Sequence, residues 1–151
     1  GDVYKRQPLW LFYGLISFVI VGKVMFRAQG AMYLANSFVF TLCALTMAFL
    51  ISSIFNNKEA VNGIVNVVAL GSAFLCGAFI PVEWLPDGVL AVGRIFPAYW
   101  YIQTNEYLKT LETVSVSGLK PVFLNMLAMA LYGVFYIIVA NIVSAKKRVV
   151  A

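Results

Sequence analysis

Long uncharged apolar runs, separated by short polar breaks, set the pattern of the chain. Residues 31–55 carry no Asp, Glu, Lys or Arg and end at Asn56, Asn57, Lys58 and Glu59. Such a polar group of residues cannot stay in hydrocarbon, so the run predicts a membrane-crossing helix and its stop. Residues 60–80 repeat the pattern until Pro81 and Glu83 end it, and residues 9–26 form a further run interrupted at Gly22 and Lys23. There the lysine can snorkel toward headgroups. The last run begins at Pro121, a position that a helix tolerates in its first turn, and continues to Ser144 before Lys146, Lys147 and Arg148. Each run approaches the roughly 20 residues that a hydrocarbon core about 30 Å thick requires. The expected fold is an all-α membrane protein with about four transmembrane helices.

Between the third and fourth runs lies CGAFIPVEWLPDGVLAVGRIFPAYWYIQTNEY, residues 76–107, which is apolar, aromatic and rich in proline. Val89, Leu90, Val92, Ile95 and Phe96 favour insertion by roughly 0.3 to 0.6 kcal/mol each, whereas Arg94 costs about 2.5 to 3.5 kcal/mol and Pro97 interrupts the helix. The sum does not favour a span, and an apolar stretch of about 10 to 14 residues that fails as one is re-entrant or interfacial. Non-helical backbone at membrane depth survives only against protein or a water-filled cavity. A re-entrant segment on the outer side, with a pathway beside it, is the reading. Pro81, Pro86 and Pro97 are expected to fix turns, and Asp87-Gly88 to restart a short helix that Asp87 caps. Glu83, Asp87 and Arg94 could gate or steer a solute, although charges at an interface are more often solvated or paired locally.

Composition agrees with the pattern: 62% of residues are hydrophobic and 11% charged, with mean hydropathy +0.89. With no His, and with Cys43 and Cys76 both inside apolar runs, neither a metal cluster nor a disulfide framework has material; both thiols are expected to pack as small hydrophobes. The opening DVYKRQ resembles the translated end of a transposon adapter used in sequencing libraries, so residues 1–7 are set aside like a cloning scar. Without Asp2, Lys5 and Arg6 the chain keeps nine basic and five acidic residues, and the net charge falls from +5 to +4. Nothing in that balance suggests nucleic acid.

Two helical faces could carry function. Asn62, Asn66, Ala69, Ala73 and Gly77 recur at spacings of three and four, and Ser37, Thr41, Ala44, Ala48 and Ser52 do the same with Asn36 beside them. Small residues let helices approach closely, and Ser, Thr or Asn can hydrogen-bond between helices, so packing is the favoured reading. In the alternative, Asn36, Thr41, Asn62 and Asn66 face a substrate path. Catalysis is poorly supported, because the run interiors hold no Asp, Glu or His to act as base or paired acid. No GxxxxGK[ST] loop occurs either, so energy must come from a partner or a gradient.

The basic cluster at Lys146, Lys147 and Arg148 favours a cytoplasmic C-terminus in a multi-pass cell-membrane protein. That places Lys58 inside and Lys23, Arg27, Arg94, Lys109 and Lys120 outside, where Trp84, Tyr99, Trp100, Tyr101 and Tyr107 are expected to form an interfacial belt.

The order of SSIFNNKEA closing an uncharged span, an Asn-rich span, CGAFIPVEWLPDGVLAVGRIFPAYWY and a last span with a basic tail resembles the C-terminal half of ABC transporter permeases of the type-2 exporter class. The resemblance covers residues 32–148 and is strongest over 57–107. It implies that residues 8–151 are the C-terminal part of a permease membrane domain, whose first two spans and coupling helix precede the sequence given. It further implies alternating access, a second permease copy or homologue, and cytoplasmic ATPase subunits that bind ATP and Mg, leaving no cofactor in this chain. Membrane lipid is the remaining partner. A gradient-driven transporter or channel subunit and a non-transporting scaffold share the same span pattern and stay open as alternatives.

Overall fold

The computed structural model describes residues 8, 11–20, 28–111 and 115–150, and all regular structure among them is helical. The elements are α1 (Leu11–Ile20), α2 (Ala28–Ile54), α3 (Lys58–Leu75), a 3-10 turn (Val82–Trp84), α4 (Asp87–Gly93), α5 (Pro97–Thr110) and α6 (Lys120–Val150). The adapter-like residues 1–7, and Lys23 and Arg27, lie outside the described residues. Two helices are long and apolar enough to cross a membrane, α2 and α6. At 27 and 31 residues they measure about 40 and 46 Å.

These two run parallel and side by side over their whole length. Met32 and Tyr33 of α2 pack on the Leu108, Leu119 and Val122 cluster at one end. Midway, a methyl group on Gly133 would lie 3.7 Å from Cys43 Cα, and at the other end Lys147 donates to Ile54 O at 2.8 Å. The chain therefore returns between them by way of α3 and the segment expected to be re-entrant.

The expected run of residues 60–80 is shorter in the structure, because α3 stops at Leu75. Gly77 has φ +90°, and Ala78 N–H closes back to Ala73 O at 3.0 Å, the six-to-one bond of a Schellman cap. Gly77 is thus outside the helix and leaves the face assigned to it with Asn62 and Asn66. With 18 residues α3 measures about 27 Å, a little under the roughly 30 Å of a hydrocarbon core. Its start also differs from expectation. Lys58 and Glu59 belong to its first turn, and Asn57 is the cap whose Oδ1 accepts from Glu59 N–H at 2.9 Å.

Beyond α3 the chain turns back through α4, which packs on the end of α3, into α5, which packs on α2 and α6; this reversal is called the hairpin. Pro86 precedes α4 and Pro97 opens α5, a place where its missing N–H leaves no bond unmade. Asp87 was expected to cap α4; it occupies the first turn instead, without a side-chain capping bond, and its charge complements the helix dipole there. The hairpin tip is fixed on two sides. Tyr132 of α6 donates to Arg94 O at 3.2 Å, and Tyr101 stacks on Phe40 of α2 with ring centroids 4.5 Å apart. Tyr132 and Phe40 each lie twelve residues from the start of their helix, so both place the tip about 18 Å below the level where α2 and α6 begin. From there α5 climbs back to that level, where Tyr107 Oη donates to Gly118 O at 2.7 Å. The aromatics expected in one belt are therefore spread along the hairpin, because Trp100 donates to Arg94 O and Tyr101 stacks on Phe40 near the tip.

Candidate functional site beneath the hairpin

One face of α2 holds the hairpin. Gln29, Tyr33, Asn36 and Phe40 follow one another at intervals of four, three and four, which puts them on a single stripe. Gln29 Nε2 donates to Leu108 O and Leu111 O at the C-terminal end of α5, satisfying carbonyls that the helix leaves without partners. Tyr33 Oη donates to Asn105 O at 3.3 Å. Asn36 Nδ2 donates to Tyr101 O at 3.1 Å and to Asn105 Oδ1 at 2.9 Å. Four of these five acceptors are backbone carbonyls, so the grip depends on where the backbone of α5 lies more than on its side chains. Leu108 and Thr104 of α5 are fully buried against this packing.

Below the hairpin, α2, α3 and α5 leave a cavity of about 350 Å³. Ala44, Ala48 and Ile51 line it from α2, and Val65, Val68 and Ala69 from α3. Pro97, Ala98 and Tyr101 form its roof. Its walls are almost wholly apolar; the Ser72 hydroxyl in them already donates to Val68 O at 2.6 Å. Such a space offers no acid, base or nucleophile and can only accommodate apolar matter. The small residues expected on the two faces, Ala44, Ala48, Ala69 and Ala73, do meet here, but they border a void instead of closing it.

The polar residues picked out with them do not converge. Asn36 is completely buried in the α2–α5 contact, with its Oδ1 lacking a partner. Thr41 is exposed and donates to Ser37 O at 2.8 Å, within its own helix. Asn62 and Asn66 are exposed on α3, beside the cavity-lining Ala69 and Ala73 but outside the lining. In the hairpin, Pro81, Glu83, Pro86 and Asp87 are exposed and Pro97 is buried. The Arg94 guanidinium is exposed and lies 6.0 Å from the centre of the Tyr99 ring. Cys43 and Cys76 are buried free thiols, the latter 3.6 Å from Gly93 O. The residues that sequence reasoning missed are Gln29, Tyr33, Asn105 and Tyr132, although the spacing from Gln29 to Phe40 was there to be read.

Two membrane-length helices with largely exposed apolar side chains define an integral membrane protein. Residues 9–142 match the model of the family described as ABC-2 family transporter protein, and the chain belongs to that family, the membrane permease components of ABC transporters. No curated protein and no solved structure matches the chain.

Proposed function

We propose that this chain is a permease subunit of an ATP-driven ABC exporter and forms part of its translocation path. The observation that carries the reading is a helical hairpin packed against two membrane-length helices in a chain of this family. In the proposed arrangement α1 and α3 cross the bilayer with α2 and α6, giving four spans, and the end bearing Lys58, Lys146, Lys147 and Arg148 faces the cytoplasm. Separate ATPase subunits bind ATP and Mg and act from that side, and a second permease, identical or homologous, completes the path. Asn62, Asn66 and Thr41 are exposed and are proposed to face the path or that second permease, whereas Asn36 serves the hairpin. Glu83 and Asp87, both exposed, are proposed to border the outer mouth, whereas Arg94 stands deeper, at the hairpin tip beside Tyr132.

Affinity purification of the full chain from its native membrane, followed by vesicle reconstitution, tests this. Recovery of a nucleotide-binding partner and ATP-dependent efflux are expected. Transport that persists with no ATPase present overturns the reading in favour of a gradient-driven carrier, and neither partner nor transport leaves a scaffold. Asn66→Leu adds a finer test: lost efflux with normal assembly places Asn66 on the path, and lost assembly places it in a helix contact.

A further inference from the structure

About one helical turn beyond the cavity, at the Lys58 end of the groove between α2 and α3, the chemistry changes. On α3, Lys58, Val61, Val65, Val68 and Ser72 succeed one another at intervals of three and four, so the lysine shares the cavity-lining stripe. Just past α2, Phe55, whose N–H still donates to Ile51 O at 3.1 Å, continues the stripe of Ala44, Ala48 and Ile51. A polar recess formed by Ser52, Phe55, Asn56, Lys58 and Val61 lies at this end. Lys147 is anchored beside it, donating to Ile54 O and to Asn56 Oδ1 at 3.0 Å, and an ammonium has three donors, so one remains. Lys146 and Arg148 follow on α6, with Glu59 the only carboxylate at this end among the described residues. No described carboxylate pairs with Lys58.

An apolar slot leading to a cationic recess fits one kind of occupant. A helix, about 10 Å across, is too wide for a cavity of about 350 Å³. A single hydrocarbon chain is not. From Ile51 to Phe40 the cavity extends over eleven residues of α2, about 16 Å, close to one leaflet's half of a core about 30 Å thick. We propose that the α2–α3 groove is a binding site for an anionic phospholipid of the leaflet at the Lys58 end, with one acyl chain in the cavity and the phosphate against Lys58. The Lys147 ammonium is held by Ile54 O and Asn56 Oδ1, so it fixes the Asn56 turn beside the headgroup and Lys58 supplies the charge. This site ties α3, which packs sparsely, to the α2–α5–α6 body, and it makes no use of ATP or of cargo.

The test is retention of lipid by the purified full chain, counted by native mass spectrometry after exchange with phosphatidylglycerol or phosphatidylcholine of identical tails. Phosphatidylglycerol is expected to be held about fivefold better, the factor that one lysine near a headgroup supplies. Lys58→Gln should erase that preference, and Lys120→Gln, at the opposite end, should leave it. Ala48→Phe fills the slot and should lower retention of both lipids, with helical content and elution volume checking that it folds. Glycerol phosphate, which has no tails, should not displace the bound lipid. Equal retention of the two lipids, a preference that survives Lys58→Gln or is lost in Lys120→Gln, or full displacement by glycerol phosphate each overturns the proposal. None of these outcomes bears on ATP-driven efflux, so the exporter reading stands or falls separately.

Discussion

Replacing Asn36 by Asp tests the grip of α2 on the hairpin most directly, because it changes the chemistry of one buried group with almost no change in shape. The amide nitrogen of Asn36 faces two acceptors, Tyr101 O at 3.1 Å and Asn105 Oδ1 at 2.9 Å, and the residue is fully buried. A carboxylate there would turn both bonds into contacts between acceptors and leave a charge without a partner. A charge left buried without a partner costs about 3 to 5 kcal/mol, a figure that already includes the bonds it forfeits. The expected loss is therefore about 4 kcal/mol. Asn36→Leu forfeits the same two bonds but also removes the unpartnered Oδ1, so it should cost about 1 kcal/mol or less. Reversible unfolding of the full chain in mixed micelles, followed by helical circular dichroism, measures both. The ranking is decisive: Asn36→Asp must be clearly the more damaging. If it unfolds within about 0.5 kcal/mol of the parent, the side chain faces water and the grip described here is wrong.

Other substitutions probe the turn and the close contacts. Gly77→Ala forces a side chain into φ +90° with its Cβ 2.5 Å from Val82 Cγ2, and should cost about 1 to 3 kcal/mol in the same unfolding assay. Gly93→Ala would set its Cβ 2.6 Å from Leu75 O, a backbone atom held by the end of α3, and should destabilise by about 1 to 3 kcal/mol. Gly133→Ala meets nothing nearer than Thr46 Oγ1 at 3.5 Å and should be tolerated, which thermal unfolding of the two variants side by side will show. The Glu106 carboxylate accepts from Lys109 Nζ at 2.6 Å and raises that ammonium above its ordinary 10.5. Both groups are more than half exposed, so Glu106→Gln should change stability by under about 0.5 kcal/mol. Because the lysine is raised, any contribution is present at neutral pH and fades as pH climbs through its folded value, so a comparison of the two proteins at neutral and strongly alkaline pH should converge at the latter.

Much of the architecture was legible in the residues because burial in lipid leaves the chain few choices. Uncharged runs had to become helices, and the stop at Asn56 and Asn57 was forced by their polarity. Pro86 and Pro97, expected at turns, stand where helices begin, because a missing N–H leaves no bond unmade there. The early end of α3 was present in the sequence too, since a glycine just past an apolar run is a helix stop. It was overlooked because Gly77 also falls on a helical spacing with Ala73, and spacing alone does not distinguish a residue inside a helix from one just beyond it.

Which faces meet was a different matter. Asn36 and Asn66 are the same residue type in similar runs, yet one is sealed against the backbone of α5 and the other is exposed. Local pattern assigns each to a stripe, but only the path of the hairpin back along α2 determines which stripe finds carbonyls to bond. By itself the sequence determined that the chain lies in a bilayer, where polar breaks separate its apolar runs and that those runs hold no catalytic acid or base, because solvation of charge and backbone acts residue by residue. The tertiary structure decided the depth of the hairpin, the grip from Gln29 to Phe40 and the cavity below it, because these depend on distances between segments far apart along the chain.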